Sequence, residues 1–279
     1  TNLGVEITQE NNLTILNAEK ITSFEAVYDL VKTMRASILV LGPLLTRFKQ
    51  AKVSLPGGCA IGARPIDLHL KNLEKMGAKI SLGNGYVEAV TDGLVGANLV
   101  LDFPSVGATE NLLMAATLAE GKTVIENAAK EPEIDDLVDF LVAMGAKIEG
   151  RGTSILIIEG TQELRTVEYE AIGDRIEAAT YIMAGLITNS EIKVTGVTPS
   201  HLDSVLSILG DMGANLKVEG QSITVFPSNL KAVKVETSPF PGFPTDVQAQ
   251  LMALMTKAEG TSIITENIFR SEERRVGKE

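Results

Sequence analysis

One cysteine, Cys59, and two histidines, His69 and His201, are all that 279 residues hold of the side chains that usually build disulfides and zinc sites. A lone cysteine excludes an internal disulfide framework and fits a reducing, cytoplasmic compartment. With two separated histidines it also excludes a zinc-type cluster, and a Cys–His protease pair finds little support. Positive charge is scarce: 25 Lys and Arg against 36 Asp and Glu leave a net charge of −11. Such a chain lacks the clustered cations that neutralise nucleic-acid phosphates, and it suits an anionic membrane surface poorly. Long apolar runs are missing too. The longest, residues 36–45, is short and carries Gly42 and Pro43, so no spanning helix is expected. No Walker-type glycine loop and no GxGxxG fingerprint occurs. No secretory leader is recognisable at Thr1, where the chain starts in mid-pattern.

What is present is apolar content, 44% of residues, enough for sizeable cores and against disorder. The length suits two domains. An internal repeat organises the chain. Leu73-Glu74-Lys75-Met76-Gly77-Ala78-Lys79-Ile80, Leu141-Val142-Ala143-Met144-Gly145-Ala146-Lys147-Ile148 and Leu209-Gly210-Asp211-Met212-Gly213-Ala214-Asn215-Leu216 read alike, with methionines 68 residues apart. Each predicts a helix end, a glycine cap and a strand. Leu3-Gly4-Val5-Glu6-Ile7 resembles the tail of another copy. Glu120-Gly121-Lys122-Thr123-Val124-Ile125 and Glu259-Gly260-Thr261-Ser262-Ile263-Ile264 recur in step, with Ser190-Glu191-Ile192-Lys193-Val194 in the same slot between them. The pattern is too long and too mixed for a solenoid and indicates α/β units. Strands are expected at 3–7, 13–16, 52–55, 79–82 and 86–90, the last two flanking a Gly83-Asn84-Gly85 turn. Helices are expected at 66–76 and at 28–48, the latter kinked at Pro43. Further helices should start near Gly107, Asp174 and Thr245, at corners whose unpaired N–H groups suit anions.

Residues 30–66 hold Lys32, Arg35, Arg47, Lys49, Lys52 and Arg64 and no acid. This predicts a local positive field able to draw in a phosphate-bearing small molecule, against the plainer reading of a solvated basic helix face. Within it, Leu55-Pro56-Gly57-Gly58-Cys59-Ala60-Ile61-Gly62-Ala63-Arg64-Pro65 is too rich in Gly and Pro for helix or strand and reads as an exposed loop with glycine hinges. Lys52 and Arg64 would favour thiolate at Cys59. Two readings of Cys59 stand: a nucleophile or proton donor, or a small side chain buried beside Ala60 and Ile61.

At this loop the chain resembles the UDP-N-acetylglucosamine enolpyruvyl transferases. The resemblance rests on Tyr28-Asp29-Leu30-Val31-Lys32-Thr33-Met34-Arg35-Ala36-Ser37, on the cysteine loop running on through Ile66-Asp67-Leu68-His69, and on four later motifs. These are Pro104-Ser105-Val106-Gly107-Ala108-Thr109-Glu110-Asn111, Ile125-Glu126-Asn127-Ala128-Ala129-Lys130-Glu131-Pro132-Glu133-Ile134, Asp174-Arg175-Ile176-Glu177 and Phe243-Pro244-Thr245-Asp246-Val247-Gln248-Ala249-Gln250. It extends to about Phe269. The ordered set is specific where no single motif is.

The resemblance implies a two-domain enolpyruvyl transferase fold of class α/β (α+β), an inside-out α/β barrel of repeated βα units. Residues 1–172 would form the first domain with the cysteine loop, lacking its N-terminal part. Residues 173–269 would form part of the second, and 270–279 a non-native tail whose sequence matches a translated sequencing adapter. The implied reaction moves the enolpyruvyl group of phosphoenolpyruvate to the 3′-hydroxyl of UDP-N-acetylglucosamine, the first committed step of peptidoglycan synthesis, with no metal or organic cofactor. Cys59 would protonate or add to phosphoenolpyruvate and is the residue that fosfomycin alkylates in sensitive members. Asp246 would be the base at the sugar hydroxyl, although an aspartate after Pro244-Thr245 is also a common helix-start acid. Arg64 would bind phosphoenolpyruvate. Arg35, and the backbone from Arg64 through Pro65, Ile66 and Asp67 to Leu68, would bind the UDP-sugar. Ser105, Val106 and Gly107 would hold its diphosphate, Ile268 would add a contact, and Arg175 matches a residue of the substrate cleft. Family segments before Thr1 and after Phe269 that also grip phosphoenolpyruvate have no counterpart here, so little turnover is expected of this chain. The alternatives are a shikimate-type enolpyruvyl transferase and a non-catalytic sugar-nucleotide-binding relative.

Overall fold

The repeat in the sequence is a repeat of structure in the computed structural model, which describes residues 2–31, 34–55 and 66–268. Strands β1 (Glu6–Glu10) and β2 (Leu13–Asn17) form an antiparallel hairpin. The first full unit follows: β3 (Glu25–Ala26), α1 (Tyr28–Val31), a 3-10 segment Arg35–Val40, α2 (Leu41–Phe48), β4 (Gln50–Ser54), α3 (Asp67–Lys75), β5 (Lys79–Gly83) and β6 (Tyr86–Val90). The second is β7 (Asn98–Val100), α4 (Val106–Ala116), β8 (Lys122–Glu126), α5 (Pro132–Ala143), β9 (Lys147–Glu149) and β10 (Ile155–Glu159). Their sheets have one design. The orders are β3-β4-β6-β5 and β7-β8-β10-β9, with the first pair of each parallel and the others antiparallel. The chain then runs through α6 (Arg175–Ile187), β11 (Ile192–Thr195), a 3-10 turn Pro199–Leu202, α7 (Asp203–Asp211), β12 (Asn215–Glu219), β13 (Ser222–Phe226), β14 (Lys234–Glu236), a 3-10 turn Thr245–Val247, α8 (Gln248–Met255) and β15 (Ile263–Thr265). The sheet β11-β13-β12 repeats the antiparallel part of the design, and β14-β15 its parallel pair.

Two compact units result. One comprises Thr1–Ala129 with Leu137–Glu168, the other Lys130–Asp136 with Tyr169–Glu279. In the first, Leu41, Leu45, Leu73, Met76, Leu99, Leu112 and Ile125 are buried; in the second, Ile182, Leu209, Met212, Ile223, Val225, Leu251 and Leu254 build the core.

The Met-Gly-Ala segments all close their helices in one way. The amides of Ala78, Ala146 and Ala214 donate to the carbonyls of Leu73, Leu141 and Leu209 at 3.0, 2.9 and 2.9 Å. Those of Gly77, Gly145 and Gly213 donate to Glu74, Val142 and Gly210 at 2.9, 2.9 and 2.8 Å. This pair of bonds is the Schellman motif, and its left-handed residue is glycine in each copy, with φ of 96, 107 and 86°. After each following hairpin the chain returns to the same place. The amides of Val95, Arg165 and Lys231 donate to the carbonyls of Met76, Met144 and Met212.

Two expectations are corrected. The helix expected over 28–48 is divided, because Met34 is extended (φ −148°, ψ 113°) and the chain re-enters as a 3-10 segment before α2. Pro43 is the third residue of α2, where a helix has no internal acceptor for its N–H, so proline costs no helical bond. The first strand lies at Glu6–Glu10, shifted from 3–7, because the amides of Thr22 and Ser23 bond to the carbonyl of Leu3 and hold it outside the hairpin.

Candidate active site

In the first unit Ser105, Val106 and Gly107 make the start of α4, and the start of α3 packs beside it. Ser105 caps that helix: its side chain accepts from the amide of Ala108 at 3.3 Å, and its carbonyl accepts from the amide and hydroxyl of Thr109. Val106 and Gly107 form the first turn, where helix amides lack internal acceptors and the dipole is positive. A Cβ on Gly107 would lie 3.6 Å from Cε1 of His69 and 3.9 Å from its Nε2, so the imidazole packs against the opening turn. Ile66, Asp67 and Leu68 sit at the start of α3, Asp67 exposed and the other two half-buried.

A buried side chain that the sequence reading left without a role binds these pieces together. Asn111, fully buried, accepts the amide of Gly42 on Oδ1 at 2.7 Å and donates through Nδ2 to the carbonyl of Ile38 at 3.2 Å. The same Nδ2 lies 3.0 Å from Nδ1 of His69. The backbone partners fix which end of the amide is nitrogen. Nδ1 is therefore an acceptor, and neutral His69 carries its proton on Nε2, the atom near Gly107. Asn111 thus ties the segment that begins at Arg35 to α2, α3 and α4. His69 is buried in this hub.

Of the cations in residues 30–66, Lys52 meets acids on neighbouring strands. Lys52 lies between Glu25 of β3 (3.4 Å) and Glu88 of β6 (3.7 Å), with Nζ 4.7 Å from the ring centre of Tyr86. The hydrogen bond to Glu25 raises its pKa. Arg47 bonds to the carbonyl of Ala18 and lies over the Phe48 ring, and Lys49 bonds to the carbonyl of Asp92 at 2.8 Å. Cys59, Arg64 and Pro65 lie outside the described residues, as do Lys32 and the side chain of Arg35.

In the second unit Asp174 caps α6, accepting the amides of Ile176 and Glu177 at 2.8 and 3.0 Å. Arg175, its first residue, is buried. It pairs with Glu133 (Nε to Oε1, 2.9 Å; Nη2 to Oε2, 3.4 Å) and sets its guanidinium 5.7 Å from the ring centre of Phe240. The carboxylate of Glu131 accepts the amide of Phe240 at 3.5 Å. Burial pushes the pKa of Glu131 up, with Glu133 adding to the rise and Arg175 opposing it. Glu131 and Glu133 stood in a matched motif without assigned roles, and only folding brings them to Arg175. Asp246 is exposed on the turn Thr245–Val247, and Ile268 is half-buried beyond β15.

Comparison with known proteins gives the family and the fold. Residues 1–275 match the family described as EPSP synthase (3-phosphoshikimate 1-carboxyvinyltransferase). The UDP-N-acetylglucosamine 1-carboxyvinyltransferase of Thermodesulfovibrio yellowstonii is 55% identical over 95% of this chain and 64% of its own length. That named UDP-N-acetylglucosamine 1-carboxyvinyltransferase 2 from Clostridium tetani is 52% identical over 96% of this chain and 64% of its own. The chain therefore spans less than two thirds of these relatives. In fold it is similar to the enolpyruvyl transferase NikO from Streptomyces tendae, at a TM-score of 0.82 and 24% identity over 95% of this chain and 64% of that one. It is also similar to EPSP synthase from Acinetobacter baumannii, at a TM-score of 0.66 and 21% identity over 94% of this chain and 62% of that one. With nearly its whole length matched, the chain belongs to the EPSP synthase family and has the enolpyruvyl transferase fold.

Proposed function

We propose that the chain is the larger part of an enzyme that transfers the enolpyruvyl group of phosphoenolpyruvate to the 3′-hydroxyl of UDP-N-acetylglucosamine. One observation carries the reading: relatives named for that acceptor are 52–55% identical across nearly the whole chain. The arrangement of residues supports it. The first turn of α4 offers amides and a positive dipole end to a diphosphate at Ser105, Val106 and Gly107. Asp246, exposed on its turn, is free to meet a sugar hydroxyl.

In the reaction the sugar oxygen bonds to C2 of phosphoenolpyruvate and its proton passes to Asp246. C3 takes a proton from Cys59. The C2–O bond to phosphate then breaks as C3 returns a proton to the Cys59 thiolate, which restores the double bond, and the departing phosphate takes the proton held by Asp246. Cationic side chains such as Arg64 offset the charge that develops on the donor. Arg35 and the backbone of Arg64, Pro65, Ile66, Asp67 and Leu68 bind the nucleotide sugar, joined by Ile268, and Arg175 belongs to the site on the second unit. Partners are the two small-molecule substrates, and the proposed location is the cytoplasm. Among the described residues no helix is long and apolar enough to cross a membrane.

The family description itself favours a second reading, with shikimate 3-phosphate as acceptor. Calorimetric titration of the purified chain separates the two. Saturable heat with UDP-N-acetylglucosamine and none with shikimate 3-phosphate at the same concentrations is expected, and the reverse preference would refute the assignment.

A further inference from the structure

We infer that Glu266 is a positioning residue of the site on the second unit, its buried carboxylate fixing both the turn that presents Asp246 and the strand end that carries Ile268. Glu266 follows β15 and is only 5% exposed. Among the described residues, donors from three stretches of chain converge on it. The hydroxyl of Thr237 reaches Oε1 at 2.8 Å, the amide of Ile268 reaches the same oxygen at 2.6 Å, and the hydroxyl of Thr245 reaches Oε2 at 2.9 Å. Thr237, fully buried, completes the knot: its hydroxyl accepts the amide of Asn267 at 2.9 Å, and its own amide donates to Thr265 at 2.9 Å.

A carboxylate is a costly way to fill an interior position, since burying charge forfeits hydration that an aliphatic side chain never had. What a carboxylate supplies is acceptor capacity at fixed spacing, and two hydroxyls and an amide use it here. Thr245 is the residue before Asp246, and it opens a 3-10 turn whose N-terminal flank, Pro244, makes no side-chain cap. The Thr245–Glu266 bond supplies a tether that the missing cap does not. The same carboxylate holds Ile268 by its amide. One side chain therefore sets the relative placement of two residues that the proposed function assigns to the sugar nucleotide. The inference rests on that reading for its consequence in ligand binding, and on geometry alone for the tether.

Thr245→Val tests both parts, because it removes the hydroxyl that reaches Oε2 and leaves Thr237 and Ile268 on Oε1. A Glu266→Gln change would not serve, since its NH2 group can donate to the Thr245 hydroxyl and keep the tether. Thr245→Ala removes the same bond and serves if the valine variant folds poorly. Without ligand, hydrogen–deuterium exchange over residues 243–248 should quicken in either variant while α6 and β13 stay as protected as in the parent. Unchanged exchange at that turn overturns the inference whatever the chain binds. Affinity for UDP-N-acetylglucosamine should fall by roughly tenfold, the scale of one lost hydrogen bond. In an Asp246→Asn background the further loss should shrink to about twofold or less, because coupled residues act non-additively. Equal losses in both backgrounds would make Glu266 merely structural and overturn the inference. If the parent shows no affinity for UDP-N-acetylglucosamine, the proposed function fails, and the exchange result still decides the tether.

Discussion

Glu131 shows how a single carboxyl can oppose the fold that holds it. Burial raises its pKa above the ordinary 4.5, so between 4.5 and its higher folded value the folded state binds more protons than the unfolded chain. Stability attributable to this group is therefore greatest in acid and falls as pH rises through that window. Glu131→Gln keeps an oxygen for the amide of Phe240 and removes the charge. Thermal melts should show the variant gaining on the parent at pH 7, with the gain shrinking towards pH 4; a gain independent of pH would contradict the assigned cause. None of this was legible in the sequence, where Glu131 and Arg175 stand in separate motifs. Lys52 teaches the same lesson. A linear window around it holds no acid, yet sheet pairing brings Glu25 and Glu88 to its ammonium. Charge counted along the chain misses such partners because strands bring distant charges together.

At the scale of elements the glycine caps were the most legible feature. A residue with φ near 100° must be glycine to avoid strain, and a buried leucine four residues before it supplies the matching apolar contact. Gly145→Ala isolates the backbone cost, because a Cβ there meets nothing within 4 Å. The substitution should destabilise by about 1–2 kcal/mol in denaturant melts. A loss below about 0.3 kcal/mol would show that the cap is not under conformational strain. The hairpin of β5 and β6 was equally readable, since Asn84 and Gly85 take the positive φ values of 51 and 79° that a two-residue turn requires. The division of residues 28–48 was not. Met34 carries no helix-breaking chemistry, and apolar periodicity continues across it. Pro43 misled because proline stops a helix only in its interior, and nothing local revealed that α2 begins two residues earlier.

For the whole molecule, the 68-residue spacing announced repeated α/β units, and the matching strand orders of the two four-stranded sheets express it in space. The site was legible as a set of motifs but not as an arrangement. Asn111, which joins the Arg35 segment to the starts of α3 and α4, reads in sequence as one polar residue within a helix. Glu266 reads as one more acid after a strand. Long-range hydrogen bonds leave no periodic trace, so such hubs emerge only from the fold. The activity proposed for this chain is enolpyruvyl transfer to UDP-N-acetylglucosamine. The most direct measurement is phosphate release from phosphoenolpyruvate by the chain joined to the remaining third of a curated relative, with each acceptor in turn. Release should require UDP-N-acetylglucosamine and should drop at least about 100-fold in Cys59→Ser, as expected for loss of a proton donor. Release supported by shikimate 3-phosphate instead, or undiminished without the thiol, would contradict it.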